Sequence, residues 1–233
     1  MPSITAATFN IGSSHKMFMH YSEENLRALA RLIGDCGADV VGLQEVDRGA
    51  RRSEGVDMTA FLSEHARYPH AYFIRIRAFQ GGEYGTAILS RHPILESGTF
   101  HYPVKICTQG TSAGYARIDF DGHPLSVFNT HISCESPEAN AEGLRCYDQL
   151  LGAYIRGTGR RLIAMGDFNV DSEVVRRGIP DFARANPGLA TYETHSIDNI
   201  LLSEGVSASE VRVLDATSGG ESDHNMLLCK ICW

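Results

Sequence analysis

Six apolar runs in this chain each meet a carboxylate, an amide or an imidazole at one end, and that punctuation narrows the possible folds sharply. Ile4–Phe9 leads into Asn10, Val40–Gln44 into Glu45, and Leu125–Thr130 into His131. Leu162–Met165 leads into Gly166-Asp167-Phe168-Asn169. Ile197–Leu202 carries Asp198 near its start, and Ser222-Asp223-His224 stands just before Met226–Leu228. Short apolar runs of this kind read as buried strands. Polar groups at their ends are costly to bury unless paired or bound to metal. In α/β sheets functional side chains collect at strand ends, because the strand interiors are needed for packing. Together these residues can hold a hard cation and activate water beside it, the working part of a metal-dependent phosphate-ester hydrolase.

Helix signals separate the strands. Ser22-Glu23-Glu24 supplies a cap and first-turn acids that favour the helix dipole, with Leu26, Leu29, Ala30 and Ile33 on one face and Gly34 or Gly37 as a stop. Ser136-Pro137-Glu138 opens a second helix with proline at its preferred first position. Leu144, Tyr147, Leu151, Tyr154 and Ile155 follow at helical spacing, and Gly157 is expected to close it. Between these helices, Ala71–Ala78, Tyr84–Ser90, Gly98–Ile106 and Tyr115–Phe120 read as further strands. Each half of the chain thus carries strand, helix and more strands, plus half of the polar set. This predicts an α/β fold with two sheets face to face, helices outside, and the polar strand ends along one edge. With no linker or low-complexity stretch, residues 1–233 are expected to form a single domain.

A formal charge of −7 argues against a protein built to grip long duplex DNA, which needs a basic footprint. Arg48, Arg51 and Arg52, with Arg75 and Arg77, form the local basic cluster, read as a solvated face. No apolar run is long enough for a transmembrane helix. No basic stretch followed by an apolar segment opens the chain, so a cytoplasmic location is expected, and a monomer with it. The six cysteines are expected to be reduced; Cys229 and Cys232 would point to opposite faces of a final strand.

In chain order, Thr8-Phe9-Asn10-Ile11, Leu43-Gln44-Glu45-Val46, Tyr84-Gly85-Thr86-Ala87-Ile88-Leu89-Ser90-Arg91, Asn129-Thr130-His131, Gly166-Asp167-Phe168-Asn169, Ile197-Asp198 and Ser222-Asp223-His224 resemble the motifs of the endonuclease/exonuclease/phosphatase superfamily, the deoxyribonuclease-like phosphohydrolases. The resemblance runs from near the first residue to near the last. It implies a four-layered α/β sandwich, with two facing mixed β-sheets flanked by helices, and in-line attack of water on phosphorus assisted by Mg2+ or Mn2+. By matching position it makes Glu45 the main metal ligand, with Asn10 beside it and Asp223 assisting. Asp167 becomes base or orienter for the water, and Asn169 positions water or a phosphate oxygen. His131 donates to a non-bridging oxygen, Asp198 orients His224, and Tyr84 borders the substrate phosphate. Asn129 is left out of this set, as a residue that ties down its strand end.

The chain departs from the family where many relatives carry arginine: Thr111-Ser112-Ala113-Gly114 and His195-Ser196 stand there instead. Both losses weaken the expectation of a second anionic group or a long polyanionic substrate. The acidic charge, the absence of a basic tail and the compact length favour a small phosphodiester or phosphomonoester (a nucleotide, a sugar phosphate or a phospholipid head group) as the expected substrate. The alternative is an endo- or exonuclease, with Phe79-Gln80-Gly81-Gly82 as the loop that approaches a base. A non-catalytic binding module would have lost Glu45, Asp167 or His224, and all are present. Met17-Phe18-Met19 is a candidate lipid-facing loop, and His20 and His195 are candidates for the mouth of the site. Specificity is expected in the loops 101–114 and 179–196.

Overall fold

Alternation of capped helices with apolar strands produces twelve strands and four α-helices in a computed structural model, which describes residues 1–12, 22–102, 104, 107 and 111–233. Met17-Phe18-Met19 and His20 lie outside the described residues, as does part of the loop 101–114. The first half holds β1 (Ser3–Asn10), α1 (Glu23–Asp35), β2 (Val40–Arg48), α2 (Met58–His65), β3 (His70–Phe79), β4 (Gly82–Ser90) and β5 (Ile94–His101). The second holds β6 (Ser112–Phe120), β7 (His123–His131), α3 (Pro137–Thr158), β8 (Leu162–Asp167), α4 (Ser172–Gly178), β9 (Ala183–Arg184), β10 (Asp198–Leu202), β11 (Ser207–Leu214) and β12 (Met226–Cys232).

The strands form two six-stranded mixed sheets, ordered β11-β12-β1-β2-β4-β3 and β5-β6-β7-β8-β10-β9. The loose symmetry of the sequence is visible here. Each sheet has one parallel central pair joined through a helix, β1-α1-β2 and β7-α3-β8, with antiparallel neighbours around it. Three apolar layers hold the sandwich. Leu26, Leu29, Ile33 and Leu62 pack on Phe9, Val41 and Leu43; Ile88, Val127, Ile163 and Leu227 fill the space between the sheets; Tyr147, Leu151 and Val175 cover Phe128, Leu162 and Ala164. Burying each such side chain contributes roughly 1.5–3 kcal/mol.

Ser22 and Ser136 cap α1 and α3 as expected, accepting from the backbone of Asn25 and Ala139 at 3.1 Å each. The end of α3 differs from expectation: Gly157 stays helical and Gly159, at φ 66°, makes the left-handed cap. The strand expected at Gly98–Ile106 starts earlier, at Ile94. Val40–Gln44 does not end at Glu45 but continues to Arg48 through a bulge. There Gln44 and Glu45 together oppose Thr86 of β4, and Glu45 takes φ 61°. Asn129 of β7 fills this bulge from the other sheet, donating to the carbonyls of Leu43 and Ala87 at 2.9 and 2.8 Å and accepting from Gln44 at 2.7 Å. Among the described residues no helix is long and apolar enough to cross a membrane.

Candidate active site

Strand register delivers most of the polar set to one edge of the sandwich. Asp167, the last residue of β8, lies in register with His131 on β7 and Asp198 on β10, so these three form a row across the second sheet. Asn10 ends β1 in the first sheet, beside Gln44 on β2. His224 arrives in the segment that precedes β12, the neighbour of β1.

Asp167 is the centre of the group. It is buried, with Oδ2 accepting from Asn10 Nδ2 at 3.0 Å and lying 3.4 Å from His131 Nε2 and 3.8 Å from His224 Nε2. Its other oxygen accepts from the backbone of Asn169 at 2.8 Å. Asn169 takes φ 54° to make that turn and spends its amide donor on the Ile132 carbonyl at 2.8 Å. Non-glycine residues in this left-handed region are uncommon, and Glu45 and Asn169 put two of them at one site.

His224 is held from both sides. Its Nδ1 lies 3.0 Å from Asp198 Oδ2, its backbone donates to Ser222 Oγ at 3.0 Å, and the Tyr192 ring stands 4.7 Å away. Ser222 Oγ in turn donates to the Asn10 carbonyl at 2.7 Å, tying this segment to the end of β1. The Asp198 backbone N–H donates to Thr191 Oγ1 at 3.1 Å. Asp223 comes against Gly12, where an added Cβ would lie 2.5 Å from its Oδ1; Gly12 also sits at φ 64°, so both space and backbone require glycine.

The charges reinforce one another. Burial opposes protonation of His224, but the bond to Asp198 and the charges of Asp198, Asp167 and Asp223 outweigh it and hold the imidazole up to about 9. Burial likewise opposes charge on His131, and Asp167 with Glu45 raises it above the ordinary 6.5. Burial would push Asp167 upward, yet His131, His224 and Asn10 bring it below the usual carboxylate range. Burial, then the Asp167 charge, raises Asp198 against the pull of His224. Tyr84 Oη stands 3.5 Å from His131 Nδ1, and burial followed by the Glu45 charge raises its phenol.

Asp167, Asp198 and His224 each offer a ligand atom within 4.8 Å of the others. An imidazolium is a donor at both nitrogens, so His224 is better suited to proton and charge work than to coordination. Glu45 and Asp167 face one Asn10 amide, at 3.3 and 3.0 Å from its Nδ2, while Asn10 Oδ1 accepts from Gly12. Carboxylates converging on one small polar group form a hard-oxygen donor set, and that chemistry fits a divalent cation.

A profile of the Endonuclease/Exonuclease/phosphatase family matches residues 7–224, which spans every one of these side chains. The chain belongs to the endonuclease/exonuclease/phosphatase family. Members of this family hydrolyse phosphoric esters, and this chain is a phosphoric ester hydrolase. A sequence search of curated proteins finds no match. Among solved structures, an endonuclease/exonuclease/phosphatase from Beutenbergia cavernae superposes with a TM-score of 0.81 at 18% identity, covering 99% of this chain and 72% of the other. The mannosyl-6-phosphatase of Bacteroides thetaiotaomicron gives 0.73 at 14% identity over 99% and 100%. Sphingomyelinase C from Streptomyces griseocarneus gives 0.71 at 18% over 99% of each. All share the two-sheet sandwich.

The structure thus brings Asn10, Glu45, Tyr84, His131, Asp167, Asn169, Asp198, Asp223 and His224 to one edge of this family fold. It also adds residues that sequence reasoning passed over. Thr191 and Tyr192 support the Asp198–His224 pair, and only their closeness in space marks them; Ser222, quoted with its motif but given no role, holds the His224 backbone. The arginine cluster is not simply a solvated face: Arg52 bonds the fully buried Asp47 at 2.7 and 2.8 Å.

Proposed function

We propose that the chain hydrolyses a small phosphodiester or phosphomonoester, with Mg2+ or Mn2+, by in-line attack of water. The observation that carries this reading is a buried Asp167 flanked by two imidazoles and facing Glu45 across Asn10. A lowered carboxylate among raised imidazoles can orient water while the imidazoles meet the charge that grows on phosphate oxygens.

Glu45 would hold the metal, with Asn10 and Asp223 beside it. When bound, the ion supplies Lewis-acid polarisation of the phosphate and charge neutralisation. Asp167, kept in place by the Asn169 backbone, takes hold of the attacking water. His131 and Tyr84 stand together where a non-bridging oxygen would lie. His224, fixed by Asp198, stabilises the five-coordinate phosphorus as the new P–O bond forms and the ester P–O bond breaks. The negative total charge, and relatives named for mannosyl-6-phosphate and sphingomyelin, support a nucleotide, sugar phosphate or phospholipid head group over long duplex DNA.

The test is magnesium-dependent turnover of bis-p-nitrophenyl phosphate against p-nitrophenyl phosphate, with plasmid nicking in the same buffer. Ester hydrolysis without nicking supports the proposal. Nicking that disappears in Asp167→Ala moves the answer to a nuclease.

A further inference from the structure

Arg48, Arg52, Arg75 and Arg77 lie on β2–β4 and the turn beside Tyr84, and three of them have a carboxylate partner. Arg48 and Arg75 both reach Glu83, and Arg52 is spent on Asp47. Arg77 has no carboxylate partner among the described residues. Its Nε is buried with no hydrogen-bond acceptor. The guanidinium is held by rings instead, its Cζ 5.0 Å from the Phe79 centroid and 5.4 Å from that of Tyr84. Arg52 covers the same two rings at 4.6 and 5.7 Å.

The backbone places this cation beside the reaction edge. Arg77 lies directly opposite Tyr84 in the β3–β4 pairing, just after a bulge that makes Ile76 an extra residue. Ile76 and Tyr84 form one wall of a cleft whose other wall is His131 and Ser133. A half-buried guanidinium without an acid is costly unless a ligand completes it. Its planar fork, stacked on aromatic rings, matches a phosphate in two bonds. Arg77, opposite Tyr84 on β3, therefore stands behind that wall of the cleft with its charge unspent.

We propose that Arg77 is a specificity-determining residue that receives a second, non-scissile phosphate of the substrate while the scissile phosphate lies at His131 and Asp167. This rests on the hydrolase reading above and narrows it to substrates with two phosphate groups. Phe79 and Tyr84 act as the shelf that fixes the guanidinium plane.

The p-nitrophenyl ester of thymidine 5′-phosphate, with and without a 3′-phosphate, gives two substrates that differ only in the second phosphate. The wild-type protein should favour the 3′-phosphorylated ester by about tenfold or more in kcat/KM, the ordinary worth of a charge-assisted pair. Arg77→Ala should collapse that ratio and Arg77→Lys restore part of it. A purely structural role would lower both substrates together and leave the ratio intact, which overturns the proposal. Calorimetry on Asp167→Asn, in EDTA, separates this from the hydrolase reading. Thymidine 3′,5′-bisphosphate should bind about tenfold tighter than the 5′-monophosphate, and the added Arg77→Ala should erase the difference. Absence of any turnover would sink the hydrolase reading alone. Equal binding of the two nucleotides, or a ratio unmoved by Arg77→Ala, would sink the role of Arg77.

Discussion

Gln44 donates from Nε2 to Oδ1 of Asn129 at 2.7 Å, a hydrogen bond that crosses from the first sheet to the second one residue before Glu45. The same Asn129 amide donates to the carbonyls of Leu43 and Ala87, the pair in register just before the bulge in β2. Its position under the bulge explains why an asparagine outside the expected catalytic set is fully buried at the heart of the molecule. Asn129→Leu should therefore cost at least about 2 kcal/mol of stability, since it removes three buried hydrogen bonds and leaves the Gln44 amide only its bond to Thr8. Chemical denaturation reads this directly. A change within about 0.5 kcal/mol, the range of an ordinary surface substitution, would show that the clamp contributes little.

Asp167→Asn keeps the shape of the side chain but removes the negative charge between His131 and His224. Turnover should fall by about 10²–10⁴-fold, the usual worth of a positioned base. His224→Ala should be comparably damaging. Circular dichroism should show both variants folded, and near-normal activity in either would refute the role assigned to it.

His224 offers a pH test. Its folded pKa of about 9 lies above the ordinary 6.5, so the stability it lends is fully present below about 6.5 and is lost as pH rises through about 9. Asp198→Asn removes the 3.0 Å carboxylate, so NMR titration of His224 should show its pKa falling, and the stability profile should flatten between those two values. An unchanged titration would mean that Asp198 is not what holds the proton.

Glu45→Gln probes the cation without reference to catalysis. Mg2+ added to the metal-free protein should raise the melting temperature by mass action on the folded state. The same addition should do much less for Glu45→Gln. Equal shifts in both proteins would place the ion elsewhere.

The cysteines supply a check on burial. Cys36 and Cys229 are buried, and burial pushes the Cys229 thiol up to about 12, whereas Cys134 is exposed. Iodoacetamide at pH 8 should alkylate Cys134 in the folded protein and leave Cys36 and Cys229 unmodified until denaturant is added. Mass spectrometry of the labelled peptides decides it; early modification of Cys229 would contradict the packing of β12.

Local chemistry alone determined the strands that carry Asn10, His131, Asp167 and Asp198, because an apolar run followed by a polar residue is a pattern within a few neighbouring positions. The caps of α1 and α3 were legible for the same reason: Ser22 and Ser136 act on backbone only three residues away. Weakly patterned elements escaped. β11 has no fully buried residue and only Val211 and Val213 as an alternating apolar pair, and α2 is two turns long behind its Asp57 cap. What the tertiary structure decided was everything that depends on two sheets meeting. The bulge at Glu45 is braced by Asn129, 84 residues away, through the carbonyls of Leu43 and Ala87. Thr191, Tyr192 and Ser222 matter only because β10 and β12 bring Asp198 and His224 together. Arg77 looked like one more surface charge until β3 paired with β4, set it over Tyr84 and left it without an acid. Residue type and spacing announce which groups do chemistry; which of them are paired, buried or left wanting a partner is a property of contacts between distant segments, and those form only when the sandwich closes.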